Sequence, residues 1–72
     1  YAMKIYAETT NYTVWHCIDD MGVPMDSVFY FEHNELGDEL GGKIWAVDGY
    51  IEDYDGVYSL PAEVEAKFLG FM

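Results

Sequence analysis

The chain has no arginine, and its only basic side chains are three lysines among 72 residues. Fourteen aspartates and glutamates oppose them and give a formal net charge of -11 at pH 7. Binding to nucleic acid depends on clustered lysine and arginine, which neutralise phosphates and release counterions. Anionic membrane surfaces attract basic amphipathic segments in a similar way. The shortage of positive charge therefore argues against nucleic acids and membranes as direct partners.

Cysteine is almost absent as well, because Cys17 is the only one. A single cysteine forms no internal disulfide, and no second cysteine stands at zinc-ligand spacing from it, so we expect a reducing, cytoplasmic setting. Long apolar runs are also missing, since none approaches the roughly 18 residues of a membrane span. The N-terminus lacks the order of a signal peptide, and the natural start is expected at Met3, with Tyr1 and Ala2 added before it.

Apolar and aromatic residues are plentiful, at 51% and 18% of the chain. A disordered acidic segment would be poor in aromatics, so this composition predicts a folded body that carries the acids on its surface. The length limits that body to a single domain, residues 1–72. Apolar residues recur with a period of two between glycine, asparagine and aspartate clusters, which is typical of antiparallel strands. The predicted fold class is α+β: a small antiparallel sheet of four to five strands with a C-terminal α-helix packed on one face.

The strongest local signal is Asp48-Gly49, because a type I′ hairpin turn needs positive φ at both central positions. Residues 19–24 contain turn residues and a proline that cannot donate to a strand ladder, so they are predicted to interrupt the sheet. Strands are predicted at 3–8, 12–18, 27–32, 43–47, 50–54 and, for a short stretch, 57–59.

Two segments are predicted to be helical. Residues 33–42 are expected to form one or two loose turns, because Asn34 is a good N-cap although Gly37 weakens the helix. The second segment starts at Pro61, which suits the first position of a helix. Its predicted apolar stripe consists of Val64, Phe68 and Leu69.

The sequence offers little for catalysis or cofactor binding. The Trp15-His16-Cys17 segment sets a histidine beside a thiol, but neighbouring side chains of a strand point to opposite faces. Cys17 is therefore predicted to be a buried, inert strand residue, and His33 an exposed loop residue. No nucleophile with its base, phosphate-binding loop or metal-ligand cluster accompanies the acids. We predict a protein that is not an enzyme and that uses no cofactor.

The pattern of potential ligands also argues against a calcium loop. Asp53-x-Asp55-Gly56 matches part of an EF-hand, but Ile51 and Ala62 stand at the first and twelfth positions, where carboxylates are needed. No metal site is therefore predicted.

The acids have a spacing that suits a binding surface. Asp53 and Asp55 are two residues apart, which puts them on one strand face at about 6.6 Å. Phosphates along one DNA strand are separated by a similar distance, so such a strand can imitate a phosphate row. Adjacent tyrosines are residue types that anchor protein interfaces. The predicted partner-binding residues are Asp48, Glu52, Asp53, Asp55, Asp19, Asp20, Tyr50 and Tyr54. Further acidic groups are Glu35 with Asp38 and Glu39, and Glu63 with Glu65.

An alternative for these carboxylates is the ordinary solvated surface of an acidic domain, which needs no partner. The complete absence of arginine argues against it, because small domains usually mix both signs of charge on their surfaces.

In size, acidity and aromatic content, the chain resembles the class of phage- and mobile-element-encoded inhibitors that includes anti-CRISPR, antirestriction and uracil-DNA glycosylase inhibitor proteins. The stretch Leu60-Pro61-Ala62-Glu63-Val64-Glu65 is similar to a helix start in one glycosylase inhibitor. The resemblance implies an inhibitor in the host cytoplasm that binds a basic, nucleic-acid-binding protein by DNA or RNA mimicry. The alternative is a structural or assembly module that pairs through sheet edges or forms a homodimer.

Overall fold

The computed structural model describes residues 2–18, 21–22, 24–47 and 49–69. Its main element is one sheet in which five strands follow each other in chain order, each antiparallel to the next. The predicted antiparallel sheet is thus confirmed, with the larger of the two expected strand numbers. The strands are β1 (Ala2–Glu8), β2 (Tyr12–Ile18), β3 (Pro24–His33), β4 (Gly37–Val47) and β5 (Tyr50–Gly56), and the helix α1 (Ala62–Glu65) follows them.

The strand bounds differ from prediction mainly around the β3–β4 connection. β2 has the predicted bounds, whereas β3 and β4 are each longer than predicted. The helical turns predicted at 33–42 are therefore wrong, because only residues 34–36 form a turn. The strand predicted at 57–59 is wrong as well, since these residues form bends and irregular backbone.

His33 explains why the β3–β4 turn is so short. Its Nδ1 accepts hydrogen bonds from the amides of Glu35 and Leu36, at 3.1 and 3.2 Å. Gly37 then adopts a φ of 67°, a left-handed conformation that favours glycine. His33 itself is half-buried and is the last residue of β3. Its predicted position in an exposed loop is therefore wrong.

The C-terminal helix is much shorter than predicted, because α1 has four residues. After it the backbone tightens, and the amides of Lys67 and Phe68 donate to carbonyls three residues earlier, at 3.0 Å each. A short helix gains few hydrogen bonds against the cost of its first turn, and Pro61 at the N-cap provides no side-chain cap. The fold is therefore mostly β, and the expected helix is reduced to a single turn.

The hydrophobic core lies on one face of the sheet, which we call the core face. Val14 of β2 is paired with Phe31 of β3, and Phe29 of β3 with Ile44 of β4. Directly paired residues in antiparallel strands share a face, so these four side chains meet. Each buried side chain of this size contributes about 1.5–3 kcal/mol. Residues 61–69, which we call the C-terminal segment, complete the cluster. Its buried members are Val14, Phe29, Phe31, Ile44, Ala46, Val64 and Phe68.

Candidate functional site

The opposite face of the sheet, which we call the open face, is crossed by a continuous row of side chains. Ile5 of β1 is paired with Trp15 of β2, which is paired with Tyr30 of β3. Tyr30 is paired with Lys43 of β4, and Lys43 with Asp55 of β5. With strands about 4.8 Å apart, this row is roughly 19 Å long. The row is apolar at the β1 edge, aromatic at Trp15 and Tyr30, basic at Lys43 and acidic at the β5 edge.

A second, shorter row runs beside the first. Val28 of β3 is paired with Trp45 of β4, and Trp45 with Asp53 of β5. Trp15 and Trp45 are the two tryptophans of the chain, and both therefore lie on the open face. Both are half-buried, so part of each side chain is exposed to solvent.

Lys43 occupies the aromatic centre of the open face. Its Nζ lies 5.0 Å from the ring centre of Trp45 and 5.6 Å from that of Tyr30. Both distances fall within the range of cation–π attraction, which is worth about 0.5–1 kcal/mol at exposed sites. The rings of this face are thus already arranged to hold a positive charge.

Asp53 and Asp55 lie on the open face together, as the spacing of the sequence predicts. Both are exposed at the edge of the sheet, and Asp53 Oδ1 accepts a hydrogen bond from the amide of Tyr54 at 2.8 Å. Tyr50 is paired with Val47 and is 54% exposed, which places a tyrosine on the same face and edge. Glu52 is the extra residue of a bulge in β5 and is exposed. These four residues form a local group, which we call the β5 edge group.

Tyr54 is the predicted interface residue that the structure places elsewhere. It packs against the core cluster, and its ring stacks on Phe31 with 6.1 Å between ring centres. Its hydroxyl donates to the carbonyl of Tyr58. Burial raises the pKa of Tyr54, with smaller contributions from Asp55 and Tyr12. Tyr54 therefore supports the core face, on the side of the sheet opposite to Asp53 and Asp55.

A methyl group at either of two glycines would collide with the Tyr54 ring. Gly42 and Gly56 are paired across β4 and β5, and a Cβ at Gly42 would lie 2.8 Å from Cε1 of Tyr54. A Cβ at Gly56 would overlap the same side chain. The two glycines thus make the space in which Tyr54 lies across the strands.

Three of the predicted site residues, Asp19, Asp20 and Asp48, lie outside the described residues. The described residues around Asp48 agree with the predicted hairpin turn. Val47 is paired with Tyr50 across the turn, and Gly49, its second central residue, has a φ of 89°.

Two open depressions adjoin Tyr30, and among the described residues only strand residues line them. The larger has a volume of about 490 Å³ and contains Met3, Trp15, Glu32 and Asp38. The smaller has a volume of about 310 Å³ and includes Lys43 and Asp55. Glu32 was not singled out from the sequence, although strand alternation alone puts it on the same face as Tyr30.

Trp15 carries an unpaired polar atom beside the larger depression. Its Nε1 is buried, and no hydrogen-bond acceptor for it lies among the described residues. A buried donor without an acceptor costs about 1–3 kcal/mol, and none of the described residues offsets that cost for Trp15.

Glu63 was grouped with Glu65 as surface charge, but its carboxylate is bound to the β1–β2 turn. Oε1 accepts hydrogen bonds from the Thr9 hydroxyl and from the Asn11 amide, the latter at 3.1 Å. Oε2 accepts one from Nδ2 of Asn11 at 3.2 Å. The Thr9 hydroxyl and then Asn11 lower the pKa of Glu63 below its ordinary value. Glu63 therefore stabilises the fold and does not belong to the open face.

Reactive groups are few in the described part of the chain. Cys17 is buried, as predicted, and burial raises the pKa of its thiol, an effect that Lys43 partly offsets. His16 stacks on Phe29 of the core, with 4.2 Å between ring centres. Within the described ranges no cluster of His, Cys, Asp and Glu could hold a metal ion. No helix among these residues is long and apolar enough to cross a membrane.

The chain matches no protein-family model, no curated protein and no solved structure.

Proposed function

We propose that this protein is a small acidic inhibitor that binds a basic, nucleic-acid-binding protein and keeps nucleic acid from it. Anti-CRISPR and antirestriction proteins of phages are the kind of inhibitor meant, acting in the host cytoplasm without catalysis. The observation that carries the proposal is the pair of rows across the open face, which place aromatic rings beside the exposed carboxylates of Asp53 and Asp55 at the β5 edge. A net charge of -11 supports the same choice of partner.

The two parts of the open face have different roles in this mechanism. The carboxylates of the β5 edge group attract lysines and arginines of the partner and raise the association rate at low ionic strength. The aromatic centre is the part that loses water on contact, and buried aromatic residues carry much of the binding energy of interfaces. The carboxylates take the places of phosphates, so the partner cannot bind this protein and nucleic acid together.

Assembly through sheet edges has less support. β1 and β5 are the two edge strands, and each contains an extra residue, Tyr6 in β1 and Glu52 in β5. Bulges and charges on edge strands hinder pairing with another chain. Two copies of β5 would also bring like charges together. The binding of a basic partner therefore remains the preferred function.

The proposal is tested with paired charge variants against a panel of purified nucleases and other nucleic-acid-binding effectors. Asp53→Asn/Asp55→Asn removes two carboxylates from the open face, and the side-chain amide oxygen introduced at position 53 can still accept from the Tyr54 amide. Glu35→Gln/Glu65→Gln removes two exposed carboxylates elsewhere and serves as the control. We expect the first variant to lower the association rate about tenfold at low salt, and the control to lower it much less.

Ionic strength provides the second part of this test. The Debye length falls from about 10 Å at 0.1 M to about 3 Å at 1 M salt, so the advantage of wild type over Asp53→Asn/Asp55→Asn should disappear at high salt. Binding that is insensitive to salt, or equal losses in both variants, would contradict a role for the β5 edge group.

A further inference from the structure

We propose that the larger depression of the open face receives an arginine side chain of the partner. This inference deepens the proposed function and rests on it, because it names the group that the partner inserts. The depression is lined by Met3, Trp15, Tyr30, Glu32 and Asp38, together with Phe31 and Gly37. It therefore combines aromatic rings with two carboxylates.

The chain's own lysine shows what this part of the surface can hold. Lys43 lies over Tyr30 and Trp45, and it lines the smaller depression together with Asp38 and Asp55. The larger depression has the same two components, an aromatic wall and carboxylates, but no basic residue is among the described residues that line it. Tyr30 and Asp38 line both depressions, and among the described residues a basic side chain lines only the smaller one.

Arginine fits this depression better than lysine does. Its planar guanidinium stacks on aromatic faces and forms paired hydrogen bonds with carboxylates, whereas an ammonium acts as a compact point charge. The stem of the side chain would pack along Met3 and Trp15, and the guanidinium would meet Glu32 and Asp38. The carboxylates and the aromatic lining therefore both favour an arginine side chain.

The occupant has to come from another kind of protein. The chain contains no arginine, so a second copy cannot supply one. Two of its three lysines also lie away from the open face. Lys4 is paired with His16, whose ring packs on the core face, and Lys67 belongs to the C-terminal turn beyond α1. A partner rich in arginine, as nucleic-acid-binding surfaces are, meets the requirement.

Three short peptides test the inference on the protein itself: acetylated tri-arginine, tri-lysine and tri-citrulline, the last being a neutral analogue of arginine. Trp45→Phe leaves Trp15 as the only tryptophan, so its fluorescence reports on the larger depression. We expect tri-arginine to change this fluorescence at the lowest concentration and tri-citrulline to bind at least about tenfold more weakly. Calorimetry on the wild-type protein should give the same ranking without any variant.

Glu32→Gln/Asp38→Asn removes both carboxylates of the larger depression, of which Glu32 lines that depression alone and Asp38 lines both, and Glu35→Gln/Glu65→Gln is the control of equal charge. We expect the first pair to weaken tri-arginine binding about tenfold and the control to change it by less than about threefold. Equal weakening in both pairs, or equal binding of arginine and citrulline peptides, would overturn the inference. The proposed function would survive that outcome if a basic effector still bound in a manner dependent on Asp53 and Asp55, so the two failures can be told apart.

Discussion

Glu63 shows how a single carboxylate can belong to the fold and not to a binding surface. Its two oxygens accept three hydrogen bonds from Thr9 and Asn11, at the turn between β1 and β2. The Thr9 hydroxyl also accepts from the amide of Tyr12 at 2.9 Å, so the turn and the C-terminal segment share one network. The hydrogen bond between Thr9 and Glu63 thus joins residues that are more than fifty positions apart in the chain.

The lowered pKa of Glu63 predicts a pH-dependent contribution to stability. Its ordinary value is 4.5 and the folded value is lower, so this contribution is complete above pH 4.5 and is lost as the pH falls through the folded pKa. Glu63→Gln should therefore lower the melting temperature at pH 7, and its difference from wild type should shrink at acid pH. Thermal unfolding followed by circular dichroism between pH 3 and 7 measures this.

Glu65→Gln is the matched control for that experiment, because Glu65 lies two residues after Glu63 in α1 and is exposed. It should follow the wild-type curve over the whole pH range. A Glu63→Gln variant with a constant offset from wild type down to pH 3 would show that the ionised carboxylate is not what stabilises the turn.

At the scale of elements, the C-terminal segment is held by its side chains and less by its helix. Phe68 stacks on Tyr6, with 5.4 Å between ring centres, and meets Phe29 edge-on at 4.8 Å. Val64 is fully buried in the same cluster. The single turn of α1 thus acts mainly to position two core residues.

Phe68→Ala tests this account of the segment. The substitution removes a buried ring, and changes of this kind typically cost about 3–5 kcal/mol. Leu69→Ala is the control, since Leu69 is 42% exposed although the sequence placed it in the same apolar stripe. Its expected cost is within about 0.5 kcal/mol. Urea unfolding of both variants measures the difference, and equal small losses would mean that the segment is not part of the core.

Strand periodicity predicted much of the sheet, and local side-chain contacts explain where it failed. The alternation in 12–18 located β2 correctly, because each face of that strand meets a different environment. The β3–β4 turn was not predicted because it depends on two hydrogen bonds, which Nδ1 of His33 accepts from the amides of Glu35 and Leu36. Sequence propensity at Asn34 indicated a helix there, and no local pattern reveals that a preceding histidine will satisfy those amides.

The candidate site was predictable only where it follows from alternation within one strand. Asp53 and Asp55 were placed on one face by spacing alone. Tyr54 follows from the same alternation, since it lies between them and must point to the other side. The pairing of Trp15, Tyr30 and Lys43 depends on the register between strands, which the sequence does not specify. Glu32 and Asp38 likewise come to line one depression only in the folded chain.

At the scale of the whole molecule, the two faces of the sheet differ in composition. The core face carries the buried cluster of seven apolar residues, and the open face carries both tryptophans and part of the surplus of negative charge. Asp53 and Asp55 are exposed, so we expect their substitution to change the free energy of unfolding by no more than about 0.5 kcal/mol each. Charge variants such as Asp53→Asn/Asp55→Asn are therefore direct tests of function.

The most direct measurement begins with a basic effector already bound to a fluorescent DNA or RNA duplex. Fluorescence anisotropy during addition of this protein reports whether the duplex is released, and size-exclusion chromatography reports which species remain. We predict release of the duplex in proportion to the protein bound, with weaker release by Asp53→Asn/Asp55→Asn than by the control Glu35→Gln/Glu65→Gln. A stable complex that contains the effector, the duplex and this protein together would contradict competition with nucleic acid.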